Sequence, residues 1–238
     1  MTVVLSQAMV FAAGFGKRLR PLTDHIPKPL IPIQNTTCLA EVVRRLRLVG
    51  VTNIVINTHH LAPKIADHVA SWGVRVVYEP TLLETGGGLL NALSHFDVSE
   101  PILTVNSDAW FCDQSSRCFE TLASAWHKNM DALLLLVHKN NAVGYEGRGD
   151  YYMENTCLRY RYGAETPPFV YAGAQVIQPS SFLSFQPEGP IFSMKSVWDF
   201  LELQKKLHGV EYGGKWCDVG THKALHEVQS GGQLLHRP

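Results

Sequence analysis

The residues best suited to chemistry are concentrated near the amino end, in the run from Ala12 to Leu30, AAGFGKRLRPLTDHIPKPL. Gly14 and Gly16 let backbone N–H groups approach a ligand that side chains would obstruct. Lys17, Arg18, Arg20 and Lys28 stand against the single acid Asp24, a local excess of three positive charges in a chain whose 21 Lys and Arg balance 21 Asp and Glu. Loop N–H donors beside guanidinium and ammonium groups suit an anion with several phosphate oxygens, because fixed donors and charge offset its desolvation. Pro21, Pro27, Pro29 and Pro32 restrict the loop to one shape, which a merely solvated basic turn does not need. Two common phosphate loops fail here. A dinucleotide fingerprint needs a third glycine where Leu19 stands, and a Walker loop needs Ser or Thr after Gly16-Lys17, where Arg18 stands.

The other chemical candidates are sparser. Asp108 closes the apolar run from Ile102 through Asn106-Ser107, and Asp218 lies in Trp216-Cys217-Asp218; either one alone reads equally well as a turn residue or a helix cap. Thr85 before Gly86-Gly87-Gly88 reads as an N-cap, and the glycines as a loop able to approach a ligand or as a plain turn. His59-His60 should point to opposite faces of an extended segment. His222 and His226 have helical spacing, but Lys223 replaces the glutamate of a zinc-protease motif, so no zinc is expected. Cys38, Cys112, Cys118, Cys157 and Cys217 form no C-x-x-C pair and read as reduced thiols of a cytoplasmic protein. No G-x-S-x-G elbow occurs, and Trp72, Trp110, Trp126 and Trp198 read as packing residues.

The elements that must position these groups alternate. Strand-like runs at Ala8 to Ala13, Asn53 to Asn57, Val74 to Tyr78 and Ile102 to Val105 are separated by helical patterns at Thr37 to Val49, Leu61 to Ser71 and Gly87 to His95. Such alternation implies βαβ units, a mostly parallel sheet and ligands at its strand carboxyl ends. A helix from Ser115 to Lys128 and a strand from Ala132 to Val137 follow. Beyond them the pattern loosens: a glycine-rich turn at Gly144 to Asp150, a hairpin at Tyr151 to Tyr162, a strand at Phe169 to Ile177, a helix at Met194 to Leu207, a short strand near Cys217 and a helix at His222 to Val228.

Composition narrows the class. The chain has 238 residues, is 45% hydrophobic and 18% charged, and carries a formal net charge of +0. That is ordinary globular composition without the basic footprint of a nucleic-acid binder. No stretch approaches the roughly 20 apolar residues of a membrane span, and the apolar start lacks the positive region of a signal peptide. Without repeats or linkers, residues 1–238 read as one domain. It divides into two halves, 8–110 and 111–228, and a flexible tail at 229–238. The absence of hexapeptide repeats argues against a second, acyltransferase activity.

The run Ala12-Ala13-Gly14-x-Gly16-x-Arg18-Leu19-x-Pro21-Leu22-Thr23 with Pro27-Lys28-Pro29-Leu30 resembles the signature of the sugar-nucleotide pyrophosphorylases. Within that family the chain is most similar to the N-acetylmuramate 1-phosphate uridylyltransferases, through Leu83-Glu84-Thr85-Gly86-Gly87-Gly88, Gly147-Arg148-Gly149-Asp150 and Trp216-x-Asp218-Val219-Gly220-Thr221. The resemblance implies a three-layer α/β fold with a Rossmann-like, mostly parallel sheet and a smaller sugar-binding lobe, residues 8–110 forming the nucleotide-binding half and 111–228 the sugar-phosphate-binding half. It implies transfer of a nucleotidyl group from an NTP, UTP by preference, to a sugar 1-phosphate with release of pyrophosphate and with Mg²⁺ as cofactor. Arg18 and Lys28 would then be catalytic; Ala12, Ala13, Gly14, Gly16, Lys17, Thr85, Gly86 and Gly87 would bind the nucleotide. Asn106, Gly149, Tyr171 and Gly173 would meet the sugar, and Asp108 and Asp218 would hold the metal. The Glu-Lys-Pro segment that grips the sugar phosphate in relatives has no counterpart; Lys195 is a substitute or a helix-surface lysine. Mannose 1-phosphate with GTP, another hexose 1-phosphate, or a non-catalytic nucleotide-sugar sensor remain alternatives. A nicotinamide oxidoreductase is disfavoured by the missing glycine.

Overall fold

A computed structural model describes residues 5–113, 115 and 117–230. Its framework is a nine-stranded sheet in the order Tyr151–Glu154, Cys157–Tyr160, Leu207–Glu211, Ala132–His138, Phe169–Ile177, Ile102–Asn106, Gln7–Phe11, Asn53–Thr58 and Arg75–Tyr78. Pairing directions give seven strands pointing one way, with only Phe169–Ile177 and Cys157–Tyr160 reversed. The sheet is therefore mostly parallel, as the alternating pattern implies. The single sheet runs through both halves of the chain.

Alternate residues of the strands feed two cores, which makes the three layers. Ala8, Val10, Leu103, Val105, Leu133 and Leu135 pack toward α1 (Cys38–Leu48), α2 (Ala62–Val69) and α4 (Arg117–Ala125). Met9, Val55, Ile102, Leu134 and Leu136 face α3 (Glu84–Ala92), the short α5 (Pro179–Ser184) and α6 (Met194–Leu203). Burial on both faces is why these strands read as continuous apolar runs rather than alternating ones. α5 has no clear sequence signal, since its six residues span less than two helical turns.

A third, smaller core joins the basic loop to the far end of the chain. Leu19, Ile31 and Ile33 pack with Trp110, Cys217, Val219 and, from α7 (His222–Gln229), Ala224, Leu225 and Val228. A three-stranded sheet of Ala109–Phe111, Trp216–Asp218 and Ala142–Val143 forms its floor. Thr221 caps α7, its hydroxyl accepting the Ala224 N–H at 3.2 Å. Gln229 closes that helix, and of the expected tail, 231–238 lie outside the described residues. None of the described helices is long and apolar enough to cross a membrane.

Candidate active site

Strand order reverses between Gln7–Phe11 and Ile102–Asn106, since Asn53–Thr58 and Arg75–Tyr78 lie to one side of the first strand and Ile102–Asn106 to the other. The carboxyl ends of these two neighbours diverge into separate loops, and the gap between them is where an open α/β sheet admits ligand. A cleft of about 500 Å³ opens there. One wall is the loop after the first strand, with Ala12, Ala13, Gly14, Gly16, Lys17, Arg18 and Lys28; the other carries Asn106, Ser107 and Asp108, with Thr85 at the rim.

The basic loop is shaped by three short 3-10 turns, Lys17–Leu19, Leu22–Asp24 and Lys28–Leu30. Gly16 starts the first with φ +63°, and a Cβ there would stand 2.9 Å from the Thr23 methyl and 3.2 Å from the Lys28 Cβ. Only glycine fits such a left-handed and crowded position. The Thr23 hydroxyl donates to the Gly16 carbonyl at 3.0 Å, folding the loop back on itself and setting Lys28 beside Arg18 in the cleft.

The two acids arrive from elements distant in sequence. Asp218 pairs in register with Ala109, the residue after Asp108, so the antiparallel strands place the two aspartates at neighbouring positions. Each is held by a cation of the loop: Lys28 Nζ forms an ion pair with Asp108 Oδ2, and Arg18 Nη1 lies 3.6 Å from Asp218 Oδ2. Asp218 Oδ1 also accepts the Gly220 N–H at 3.1 Å. Burial pushes the Asp108 carboxyl upward, but the Lys28 ammonium, by charge and hydrogen bond, and Arg18 beyond it hold the carboxyl below the ordinary aspartate range. Asp108 is therefore ionised near neutral pH.

Two carboxylates with unused lone pairs, beside a phosphate-type cradle, are the donor set that Mg²⁺ accepts, since that ion takes few protein ligands and completes its shell with water and phosphate oxygens. Among the described residues no group of three or more His, Cys, Asp or Glu side chains is placed to hold a metal.

Several positions differ from the sequence reading. Thr85 does not cap α3: the helix starts at Glu84 after Leu83, and the Thr85 hydroxyl instead accepts the Met194 N–H at 2.9 Å, joining α3 to α6. Gly86 and Gly87 lie within that helix rather than in a loop, and their N–H groups donate to the Phe192 carbonyl, each at 3.0 Å. Their flat surface admits the Phe192 segment, so their link to the cleft runs through Thr85. His59 and His60 do not diverge, because the strand ends at Thr58; both rings contact Phe15, at 5.3 and 5.4 Å.

The sugar candidates form a separate group beyond Asn106. Gly173 sits against Asn106 at an irregularity in the strand pairing between Tyr171 and Gln175. Two residues along, the Tyr171 N–H donates to Asp150 Oδ2 at 3.0 Å, and its ring meets Trp198 edge-on at 4.7 Å. Gly149 precedes that aspartate and donates its N–H to the Tyr145 hydroxyl at 3.2 Å. Gly149 and Tyr171 do not line the cleft itself. Lys195 is the helix-surface lysine, paired with Asp199 one turn on, with its ammonium 3.8 Å from the centre of the Tyr160 ring. All five cysteines are free, and burial pushes the Cys118 thiol up to about 12 and that of Cys112 up to about 11, far from a nucleophile's range.

Asn57, Leu82, Glu84, Ser193 and Gly220 also line the cleft; Glu84 and Gly220 fall in motifs that carry the family resemblance, without a role assigned, and the other three do not stand out in the sequence. Asn57 had a usable signal, as a polar residue at the carboxyl end of an apolar strand; Glu84 is brought in at the start of α3, and Leu82, Ser193 and Gly220 by the segments between elements.

A Rossmann-like sheet with a cationic glycine loop at its switch point defines a nucleotide-binding class of α/β protein. The chain belongs to the MobA-like NTP transferase domain family, whose pattern matches residues 8–187. It is 30% identical to the N-acetylmuramate alpha-1-phosphate uridylyltransferase of Caulobacter vibrioides, over 91% of this chain and 93% of that one. It is also 30% identical to the same-named protein of Neisseria meningitidis serogroup B, over 94% and 97% of the two chains. Among solved structures, the inositol-1-phosphate CTP transferase from T. maritima superposes with a TM-score of 0.76 at 14% identity, covering 98% of this chain and 99% of that one. That likeness extends to the fold.

Proposed function

We propose that this protein joins an NTP to a sugar 1-phosphate, forming an NDP-sugar and pyrophosphate, with UTP and N-acetylmuramate 1-phosphate as its pair. The observation that carries the reading is that Arg18, Lys28 and Asp108 line one cleft at the sheet's switch point, with Asp218 beside it in contact with Arg18. The choice of pair leans on the two uridylyltransferase relatives. The five free thiols suit a reducing compartment, and the cytoplasm, where peptidoglycan sugars would be recycled, is the proposed site of action.

In the proposed reaction an oxygen of the sugar phosphate attacks the α-phosphorus in line. The new P–O bond forms as the bond to the β-phosphate oxygen breaks, and the electron pair leaves with pyrophosphate. No enzyme nucleophile is needed, so the protein contributes positioning and fixed charge. The N–H groups of Ala13 and Gly14 would face the nucleoside, and Arg18 and Lys28 the triphosphate. Lys28 would hold its ammonium toward the α-phosphate, where negative charge concentrates in the transition state. Asp108 and Asp218 would hold Mg²⁺, which when bound supplies neutralisation of phosphate charge. Asn106 and Gly173, then Tyr171 and Gly149, would line the path of the sugar.

The test is a matrix of the four NTPs against a panel of sugar 1-phosphates with pyrophosphate release as the readout. Turnover that is highest with UTP and N-acetylmuramate 1-phosphate is expected. Release with another pair alone would replace the substrates, and binding without release from any pair would leave a nucleotide-sugar sensor in place of an enzyme.

A further inference from the structure

Behind the nucleoside end of the cleft lies a carboxylate that the proposed chemistry does not use. Glu79 follows the strand Arg75–Tyr78 and is completely buried. Its Oε1 accepts a hydrogen bond from Asn57 Nδ2 at 2.7 Å, and its Oε2 accepts the Leu83 N–H at 3.1 Å. Among the described residues its side chain has no cation partner. A polar group is costly to bury unless its hydrogen bonds are made, and here both carboxyl oxygens accept one.

Asn57 lines the cleft, and Leu83 lies between the lining residues Leu82 and Glu84. With its Nδ2 committed to Glu79, Asn57 presents Oδ1 to the Ala12 N–H, at 2.9 Å, and so pins the start of the basic loop. Leu83 is the residue from which α3 begins, and Glu84 and Thr85 after it also line the cleft, Glu84 in a left-handed conformation at φ +60°. Gly88 leaves the room this arrangement needs, since a Cβ there would lie 2.8 Å from both Asn57 Nδ2 and Glu79 Oε1. One carboxylate thus ties together the ends of the first two strands and the start of α3. The phosphate end, built from Arg18, Lys28, Asp108 and Asp218, takes no part in this network.

We infer that Glu79 is a positioning residue for the nucleoside half of the NTP: without touching it, Glu79 orients Asn57 and fixes the spacing between the Ala12 loop and the start of α3. The inference rests on the proposed NTP site.

Substitutions that exchange donors and acceptors test it. Glu79→Gln offers one oxygen to two donors, so one bond is lost and two N–H groups confront each other. Asn57→Asp sets two carboxylates at hydrogen-bonding distance. The double variant Asn57→Asp/Glu79→Gln restores every bond: Asp accepts from Ala12 and from the glutamine NH₂, the glutamine oxygen accepts from Leu83, and net charge is unchanged. Binding of UTP, or of whichever of the four NTPs wild type prefers, is measured by calorimetry, alongside KM, kcat, the KM for inorganic pyrophosphate in reverse, and thermal stability. Glu79→Gln is expected to weaken NTP binding and raise its KM by roughly tenfold or more, the scale of a lost buried bond to a charged group. The kcat and the pyrophosphate KM should stay within about twofold, as the phosphate end is separate. The double variant should return NTP affinity to near wild type. Unchanged NTP affinity in folded Glu79→Gln would overturn the inference, as would parallel loss of NTP and pyrophosphate binding, or a double variant no better than its parents. Where Glu79→Gln alone does not fold, the NTP affinity of the double variant decides by itself. A wild type that binds none of the four NTPs would instead remove the functional reading beneath.

Discussion

Arg18 and Lys28 occupy different environments within one loop. The Lys28 side chain is 14% exposed and locked on Asp108, whereas Arg18 is 65% exposed and reaches Asp218 at 3.6 Å. Arg18 therefore contributes little to stability and is free to turn toward an incoming phosphate. Arg18→Ala is expected to lower kcat by roughly 10²- to 10³-fold, the loss when one preorganised donor is taken from a charged transition state. Steady-state kinetics on a variant with wild-type thermal stability checks this. Asp108→Asn removes the charge that compensates Lys28, so it should cost stability as well, on the order of 1–3 kcal/mol. Its larger effect should be on the Mg²⁺ concentration needed for half-maximal turnover, and an unchanged magnesium profile would leave Asp108 only its structural pairing. The cationic loop was legible in the sequence from residue types and spacing, whereas Asp108 and Asp218 stood out only through the family resemblance. Glu79 and Asn57 were not legible, because their meaning lies in which atoms they meet.

At the scale of elements, α1 shows how a helix outside the cleft secures it. Its apolar stripe of Leu39, Val42, Val43 and Leu46 was readable from spacing, but nothing in the run RRLR distinguishes Arg45 from Arg44 and Arg47. Arg45 is in fact 2% exposed. Its guanidinium donates to Glu41 Oε1 at 2.7 Å, to the Ser115 carbonyl at 2.7 Å and to the Phe111 carbonyl at 2.9 Å, clamping the chain that continues from Asp108. Arg45→Ala strands these acceptors and is expected to destabilise by about 3–5 kcal/mol, measured by urea unfolding. Burial raises the Glu41 carboxyl, but hydrogen bonds from Arg44 and Arg45 outweigh it and leave the group below its ordinary value of 4.5. A depressed carboxylate stabilises the fold fully above its unfolded value and loses that contribution as pH falls through the folded one. Wild type should thus lose stability below about pH 4.5 more steeply than Glu41→Gln, which unfolding curves from about pH 7 to about pH 3 would reveal.

Over the whole molecule, three cores divide the labour. The two large ones hold the sheet between its helical layers, and the third joins the basic loop, through Leu19, to Val219 beside Asp218 and to α7. A cavity in that third core should reach the chemistry. Leu225→Ala, at a site 5% exposed, is expected to cost about 2–4 kcal/mol and to raise the KM for NTP. Leu201→Ala, fully buried in the second core, should cost a similar amount with KM unchanged, and equal KM effects in both would refute the division. The sequence by itself determined the alternating elements, the parallel core of the sheet and the cationic loop, because periodicity and composition are local properties. Tertiary structure alone decided that Asp218 comes beside Asp108, that Thr85 binds α6 rather than capping α3, and that a buried glutamate meets Asn57. Those facts depend on pairings between residues tens to more than a hundred positions apart, whose energies exist only once the chain has closed on itself.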